Sequence, residues 1–256
     1  MRRLLANAWP PALALSVLIG VWDIAANAAN ASLSLPGPWL VVRSTWADRT
    51  DLGPAVATTT EEAVLGIGLA IVCAVALALA IDFSQAVRRS VYPLMILSQT
   101  IPFIALAPLV VIWFGFGQAP KIALVALFTF FAIAVSTIRG LDSAEADTMS
   151  LLRTMGASRL QILWHVRMPS ALPQFFTGLK IGVTFSYVAA IFAEYVGAYG
   201  GLGYYMNAAK QGGNTDLVFG ATIVATVLTM ALFGAVVLTE RAVIRWRPQA
   251  IMDASW

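Results

Sequence analysis

The chain has 256 residues, of which 59% are hydrophobic and 11% are charged, and its mean hydropathy is +0.80. Soluble domains average about 45–50% apolar and about 25% charged residues, so this composition excludes a single soluble core and predicts an integral membrane protein. The net charge of +3 is small and the basic residues are dispersed, which argues against nucleic-acid binding.

Six apolar runs are long enough to cross a bilayer, which takes about 20 mostly apolar residues. They lie at about residues 10–29, 62–82, 92–114, 119–138, 176–197 and 217–238. The sequence therefore predicts an all-α, polytopic membrane protein that forms one domain over residues 1–256. A polar loop, 139–175, separates the fourth and fifth spans.

The first run has a second interpretation. A basic start, an apolar stretch and the small residues of AANAANA resemble a signal peptide with its cleavage site. The run is longer than the apolar core of most signal peptides, about 7–15 residues, so a retained span is favoured. The following segment, 30–60, contains LPGPWLVV, which indicates either a short interfacial helix or an ordered loop.

Basic residues set the expected orientation. One side has few of them, namely Arg43, Arg49, Lys121 and Lys210. The other side has Arg2, Arg3, Arg88, Arg89, Arg139, Arg153, Arg159, Arg167, Arg241, Arg245 and Arg247. The positive-inside rule then places both termini and the 139–175 loop in the cytoplasm. Asp82, at the inner end of the second run, is expected to pair with Arg88 or Arg89.

Polar residues inside the spans are candidates for a solute pathway. The third run carries three prolines, which predicts that it faces protein or a water-filled path. Glycine pairs in the second and fifth runs indicate close helix contacts. The predicted pathway residues are Gln99, Thr100, Tyr187, Glu194 and Tyr195. Interhelical hydrogen bonds, aromatic core packing, or a hydrated acid at a helix end explain the same residues without transport.

The 139–175 loop contains a pattern of two short helices. Residues 149–155 predict the first, with its leucines and methionine on one side. Gly156 is placed to end it, and Ser158 to cap a second helix that Pro169 and Pro173 stop. So short a helix needs a surface to dock on. That surface is either a soluble partner or the membrane, where the arginines contact lipid phosphates.

Several segments resemble the permease subunits of binding-protein-dependent ABC importers. Their signature loop has EAA, then glycine, then I-x-L-P. Here Gly156 is followed after nine residues by Val166, Arg167, Met168 and Pro169, although Ser150, Leu151 and Leu152 replace the EAA triad. LPGPWLVV, SQTIPFIALAPLVVIWFGFGQAPK, AEYVGAYGGLGYYM and TDLVF are similar to the branch that imports nitrate, sulfonates, taurine and pyrimidine precursors.

The resemblance implies an importer of the bacterial inner membrane. Its expected partners are a second copy of the chain, two cytoplasmic ATP-binding subunits, an extracytoplasmic solute-binding protein and the lipid bilayer. It makes 149–158 the coupling helix and its turn, with ATPase contacts from Ser150, Leu151, Leu152, Arg153, Met155, Gly156, Ala157 and Ser158. The solute is expected to be a hydroxymethylpyrimidine-like thiamine precursor, or otherwise a sulfonate, taurine or nitrate.

The chain itself is not expected to be an enzyme. It has one histidine, His165, without neighbouring metal ligands at useful spacing, and no G-x-x-x-x-G-K-[ST] phosphate loop. No catalytic, cofactor or metal site is predicted. Two other classes stay open from the residues alone: an ion-coupled secondary transporter, which predicts acid pairs and an internal repeat, and a membrane scaffold that conducts nothing.

Overall fold

A computed structural model describes residues 2–28, 35–98 and 100–246, and the fold of this part is all-helical. The helices are α1 (Arg2–Ala28), α2 (Pro38–Ala47), α3 (Arg49–Phe83), α4 (Gln85–Ser98), α5 (Phe103–Phe114), α6 (Gln118–Asp142), α7 (Ala146–Thr154), α8 (Arg159–Ile162), α9 (Met168–Gly197), α10 (Leu202–Gln211) and α11 (Thr215–Val243). A π-helical turn, Leu163–Arg167, joins α8 to α9.

Four helical segments in the described part are long and apolar enough to cross a membrane. They are Arg49–Phe83, Gln118–Asp142, Arg159–Gly197 and Thr215–Val243. Two shorter apolar helices, Leu13–Ala28 and Ala105–Phe114, fall within the first and third predicted runs. The all-α, multi-pass class is thus confirmed.

The third predicted run is not one helix, and this corrects the expectation of a continuous span at 92–114. Helix α4 ends at Ser98 and α5 begins at Phe103, with Pro102 as its N-cap residue. Proline has no N–H to donate and disfavours a helical residue before it, which explains the break. At 12 residues, α5 is about 18 Å long, well short of the hydrocarbon core.

The segment before the fifth span also differs from the prediction. Pro169 and Pro173 do not stop the helix, because Arg159–Gly197 is helical throughout. Pro169 lies in the first turn of α9, where a missing N–H costs little, and Pro173 is accommodated inside the helix. The π-helical turn absorbs the change in hydrogen bonding just before it.

The core lies where α6 packs along α3 and α9. Small residues make this packing close at Gly66, Gly178 and Gly182, as the sequence predicts, while a Cβ on Gly68 would meet nothing within 4 Å. A Cβ on Gly66 would lie 2.5 Å from Val125 Cγ1, and one on Gly178 would lie 2.6 Å from the Ala132 carbonyl oxygen. In lipid, where burial of apolar surface gives little, such close packing holds helices together. Helix α10 closes one end of the bundle against α9, α11 and α3.

The LPGPWLVV segment forms the short helix α2, whose Trp39 and Trp46 are exposed, in agreement with the interfacial-helix interpretation. The later part of the 30–60 segment is neither a loop nor an interfacial helix but the start of α3. Helix α3 begins at Arg49, well before the predicted start of the second span at residue 62. Glu62 therefore lies inside a long helix and not at its end.

Candidate functional site: the loop, the α10 end and an aromatic cavity

The loop between α6 and α9 has the predicted helix, turn and cap. Helix α7 covers Ala146–Thr154, a few residues earlier than expected. Gly156 has φ +85°, a conformation that favours glycine. Ser158 Oγ accepts from the Gln161 backbone N–H at 3.3 Å, while Gln161 Oε1 accepts from the Ser158 N–H at 2.7 Å. This capping box fixes the start of α8.

One side of the loop is apolar and exposed. Leu151 and Met155, four residues apart on α7 and its end, are 62% and 74% exposed, and Leu160 and Trp164 after the turn are also exposed. Residues four apart on a helix share a face, so these two form one surface. Leu152 and Ala157 are half-buried, and Ser150 Oγ donates to the Ala146 carbonyl. The apolar face has no cover within the described part of the chain.

Ion pairs tie the loop to the bundle, but not in the predicted pattern. Asp82, at the end of α3, pairs with Arg167 of the π-helical turn, and Arg88 pairs with Asp142. The expected pairing of Asp82 with Arg88 or Arg89 is thus wrong for Asp82. The Arg88 contact is bidentate, with distances of 3.0 and 2.5 Å to the two Asp142 oxygens. The hydrogen bonds and charge of Asp142 raise the pKa of the Arg88 guanidinium.

The opposite end of the bundle buries its charges. Lys121 Nζ on α6 lies 2.7 Å from Glu62 Oε1 on α3, and both side chains are almost completely covered. Sequence reasoning placed Lys121 among the solvated loop cations, so this is a correction. Burial requires a partner for a charge, and Glu62 supplies it. No role was predicted for Glu62, although its helix face is marked by the small residues Thr59, Ala63, Gly66 and Ala70.

Glu194 is part of the same end and is 1% exposed. Its carboxylate accepts from Thr59 Oγ1 at 2.7 Å and from the Gly203 N–H at 2.6 Å. Thr59 Oγ1 in turn accepts from the Leu202 N–H at 2.7 Å. Glu194 is therefore not a hydrated acid at a helix end. It fastens the start of α10 to α3 and α9, and its predicted pathway role stays a prediction.

The glycine-rich segment 200–203 packs around Glu194. Gly201 has φ +96°, and a Cβ there would lie 2.1 Å from Glu194 Oε1. A second contact holds α10 from the other side, because Tyr205 Oη donates to Asp48 Oδ2 at 2.5 Å. Burial and the Asp48 carboxylate raise the pKa of Tyr205, which keeps its donor proton in place.

The other predicted pathway residues do not converge on one point. Thr100 is exposed at the break before α5, where its hydroxyl donates to the Leu97 carbonyl. Tyr187 is 2% exposed and its Oη donates to Thr60 Oγ1 at 3.1 Å. Tyr195 is half-buried. Gln99 lies outside the described residues.

A cavity of about 550 Å³ opens between the α4–α5 break, α6 and α9. Sequence reasoning did not single out its lining, which is mainly aromatic and aliphatic, with one hydroxyl: Ile101, Leu127, Phe128, Phe131, Ser136, Ile181 and Phe185 are among the residues. Phe128 and Phe185 meet edge to face with centroids 5.8 Å apart. A helical spacing of aromatics at 128 and 131 indicates one face of α6, but only the fold shows that α9 supplies its counterpart.

A multi-pass helical bundle with an exposed loop helix at one end and a solute-sized cavity defines a membrane transport protein. The chain belongs to the family of binding-protein-dependent transport system inner membrane components, whose family model matches residues 66–245. It is a permease subunit of an ABC importer, as the sequence resemblance predicted.

Relatives cover nearly the whole chain. The formylaminopyrimidine transport permease protein ThiX of Halalkalibacterium halodurans is 36% identical over 246 residues, covering 94% of this chain and 97% of the relative. The taurine transport system permease protein TauC of Escherichia coli is 30% identical, covering 91% and 87%. The inward-facing MetNI methionine ABC transporter shares the fold, with a TM-score of 0.61 and 23% identity over 80% of this chain and 97% of that chain.

Proposed function

We propose that this chain works as a pair of identical permease subunits bound to two cytoplasmic ATPase subunits and an external solute-binding protein. Membership of a binding-protein-dependent family supports this assembly. The positive-inside rule puts the 139–175 loop and both termini in the cytoplasm, because most arginines lie on that side. ATP hydrolysis takes place on the ATPase, and this chain carries the solute.

The exposed apolar face of α7 is the proposed contact with the ATPase. Leu151 and Met155 are large and exposed, and a short helix of this kind is stabilised by docking. The predicted contact residues 150–153 and 155–158 belong to this helix and its glycine turn. Since the following helix runs unbroken from Arg159 to Gly197, a shift of α7 is transmitted to the membrane-spanning part as a rigid-body tilt.

The aromatic cavity is the proposed solute path, closed on its open side by the second copy. Its lining is the observation that carries the choice of solute, because Phe128, Phe131 and Phe185 offer ring faces and edges while Ser136 offers one hydroxyl. Among the described residues, the lining includes no cationic side chain for a sulfonate or nitrate. A flat heteroaromatic solute such as a hydroxymethylpyrimidine fits this chemistry, in line with the relative ThiX. Thr100 lies next to the lining residue Ile101 and is kept as a path residue.

Reconstituted transport tests this function. Proteoliposomes holding the permease, its ATPase and its binding protein are expected to take up labelled hydroxymethylpyrimidine only with ATP on the ATPase side. Phe185→Ala is expected to lower uptake by tenfold or more. Phe192→Ala is the matched control, since Phe192 is exposed on the same helix outside the cavity lining.

Three outcomes contradict the proposal. Taurine uptake in place of pyrimidine uptake overturns the solute assignment and favours the class of the relative TauC. Equal effects of the two phenylalanine changes overturn the cavity assignment. Uptake driven by an ion gradient without the ATPase overturns the coupling mechanism.

A further inference from the structure

A second cavity, of about 640 Å³, lies behind the loop, between the ends of α3 and α4 and the segment from α7 to the π-helical turn. Four arginines and one aspartate are among its lining residues: Arg88, Arg153, Arg159, Arg167 and Asp82. Leu151 and Met155, the apolar face proposed to dock on the ATPase, do not line this cavity, whereas the predicted contact residues Arg153 and Ala157 do. Met149 and Arg153, four residues apart on α7, line it from a different face of that helix than the one that carries Leu151.

The charges of this cavity do not balance. Arg88 is paired with Asp142 and Arg167 with Asp82. Arg153 and Arg159 form no ion pair with another described residue. The Nε of Arg167 is buried and donates to no acceptor in the described part of the protein. Two guanidinium groups and one buried N–H donor thus remain for an anion.

Apart from Gln85, the rest of the lining is apolar, and part of it comes from the end of a membrane span. Ile81 and Phe83 are at the last turn of α3, and Met149 and Ile162 face them from the loop. Phe83 is 51% exposed. Arginines beside hydrocarbon side chains at a span end match a molecule that has both a phosphate and acyl chains. An acidic protein side chain makes no use of the apolar wall.

We propose that this cavity binds the phosphate group of an anionic phospholipid, with Arg153 and Arg159 as its main contacts. Guanidinium groups bind phosphate oxygens in a bidentate manner, and basic pockets between helices at a membrane surface hold lipid headgroups. The Nε of Arg167 supplies a further donor. A bound headgroup bridges the loop to the end of α3, so the lipid stabilises the loop in its docked position.

The permease–ATPase complex is purified in detergent, and phosphatidylglycerol is then added back. Mass spectrometry measures how much of this lipid the complex retains. Variants are the double change Arg153→Gln/Arg159→Gln and the control Arg89→Gln, whose residue is exposed and outside the lining. Loss of two basic groups at a membrane surface is expected to weaken lipid binding by roughly thirtyfold. The control is expected to retain lipid like the wild type, and phosphatidylcholine is expected to bind weakly to all three.

Other results overturn the proposal. Equal loss in the double variant and in Arg89→Gln means that general surface charge attracts the lipid. Binding of inorganic phosphate with no preference for phosphatidylglycerol assigns the cavity to a free anion. Lipid that binds the permease alone and is excluded from the assembled complex shows that an acidic ATPase surface fills the cavity.

Discussion

Two ion pairs at opposite ends of the bundle differ in how far water reaches them. At the α10 end, the Lys121 and Glu62 side chains are 6% and 0% exposed. At the loop end, the paired Arg88 and Asp142 side chains are 45% and 36% exposed. Water screens the second pair and not the first, so equal distances do not mean equal contributions. The Lys121–Glu62 pair is therefore a fixed contact, whereas the Arg88–Asp142 pair can exchange its partners for water, unlike the more covered Arg167–Asp82 pair of the same end.

The largest effect is expected from breaking the buried pair. Lys121→Met leaves the Glu62 carboxylate uncompensated, which costs about 3–5 kcal/mol in the free energy of unfolding. Denaturant titration in detergent measures it, with the exposed Lys210→Met as control. The double variant Glu62→Leu/Lys121→Met is expected to recover most of the loss, since an apolar pair replaces both charges. A Lys121→Met loss no larger than the control contradicts the comparison.

Crowding at Glu194 is expected to have the next largest effect. Gly201→Ala places a Cβ 2.1 Å from Glu194 Oε1 in a backbone of φ +96°, at a cost of about 2–4 kcal/mol from strain and overpacking. Gly213→Ala has φ +76° and open space, so it reports backbone strain alone. Thermal unfolding of both variants separates the two causes. Equal melting shifts show that contact with Glu194 does not matter.

The Thr59 hydroxyl gives a smaller effect at the same end. Thr59→Val removes the donor to Glu194 and the acceptor of the Leu202 N–H, which is expected to cost about 1–3 kcal/mol. Thr58→Val is the neighbouring control, because the Thr58 hydroxyl donates to the Pro54 carbonyl in its own helix. Hydrogen exchange at the start of α10 is expected to speed up in Thr59→Val and not in Thr58→Val. The reverse order rejects the role given to Thr59.

The smallest effect is expected at the loop end. Arg88→Gln breaks an exposed pair and is expected to change the unfolding free energy by about 0–1 kcal/mol. High salt is expected to remove even this difference, because exposed pairs are screened. Denaturant titrations at low and high salt measure both. A loss as large as that of Lys121→Met removes the distinction between the two ends.

Local features of the loop were predictable because each depends on a few neighbouring residues. Gly156 ends α7 with a positive φ, and Ser158 caps α8 three residues before Gln161. Hydropathy likewise indicated the long helices, since a span is a property of one segment. The prolines of the third run were visible in the sequence, but the end of α4 at Ser98 and the start of α5 at Phe103 were not. Whether neighbouring groups satisfy the freed carbonyls is decided by the fold.

Long-range pairs were not predictable from spacing. Lys121 and Glu62 are 59 residues apart, and Arg167 and Asp82 are 85 residues apart. The arginines nearest to Asp82 in the sequence were its expected partners. In the fold, the end of α3 lies beside the π-helical turn before α9, which brings Arg167 to Asp82. The aromatic cavity needs α6 and α9 side by side, so Phe185 had no signal of its own.

Coupling through the loop is the central claim, and it is tested by Gly156→Pro in the complex with the ATPase. Proline cannot adopt φ +85°, so the turn after α7 must rearrange. Gly213→Pro, at φ +76° beside α10, is the matched control. We expect that Gly156→Pro, like Leu152→Asp, either loses the ATPase on co-purification or hydrolyses ATP without uptake, while Gly213→Pro keeps the ATPase bound. If Gly156→Pro binds the ATPase and transports like the wild type, the loop does not transmit the force of ATP hydrolysis.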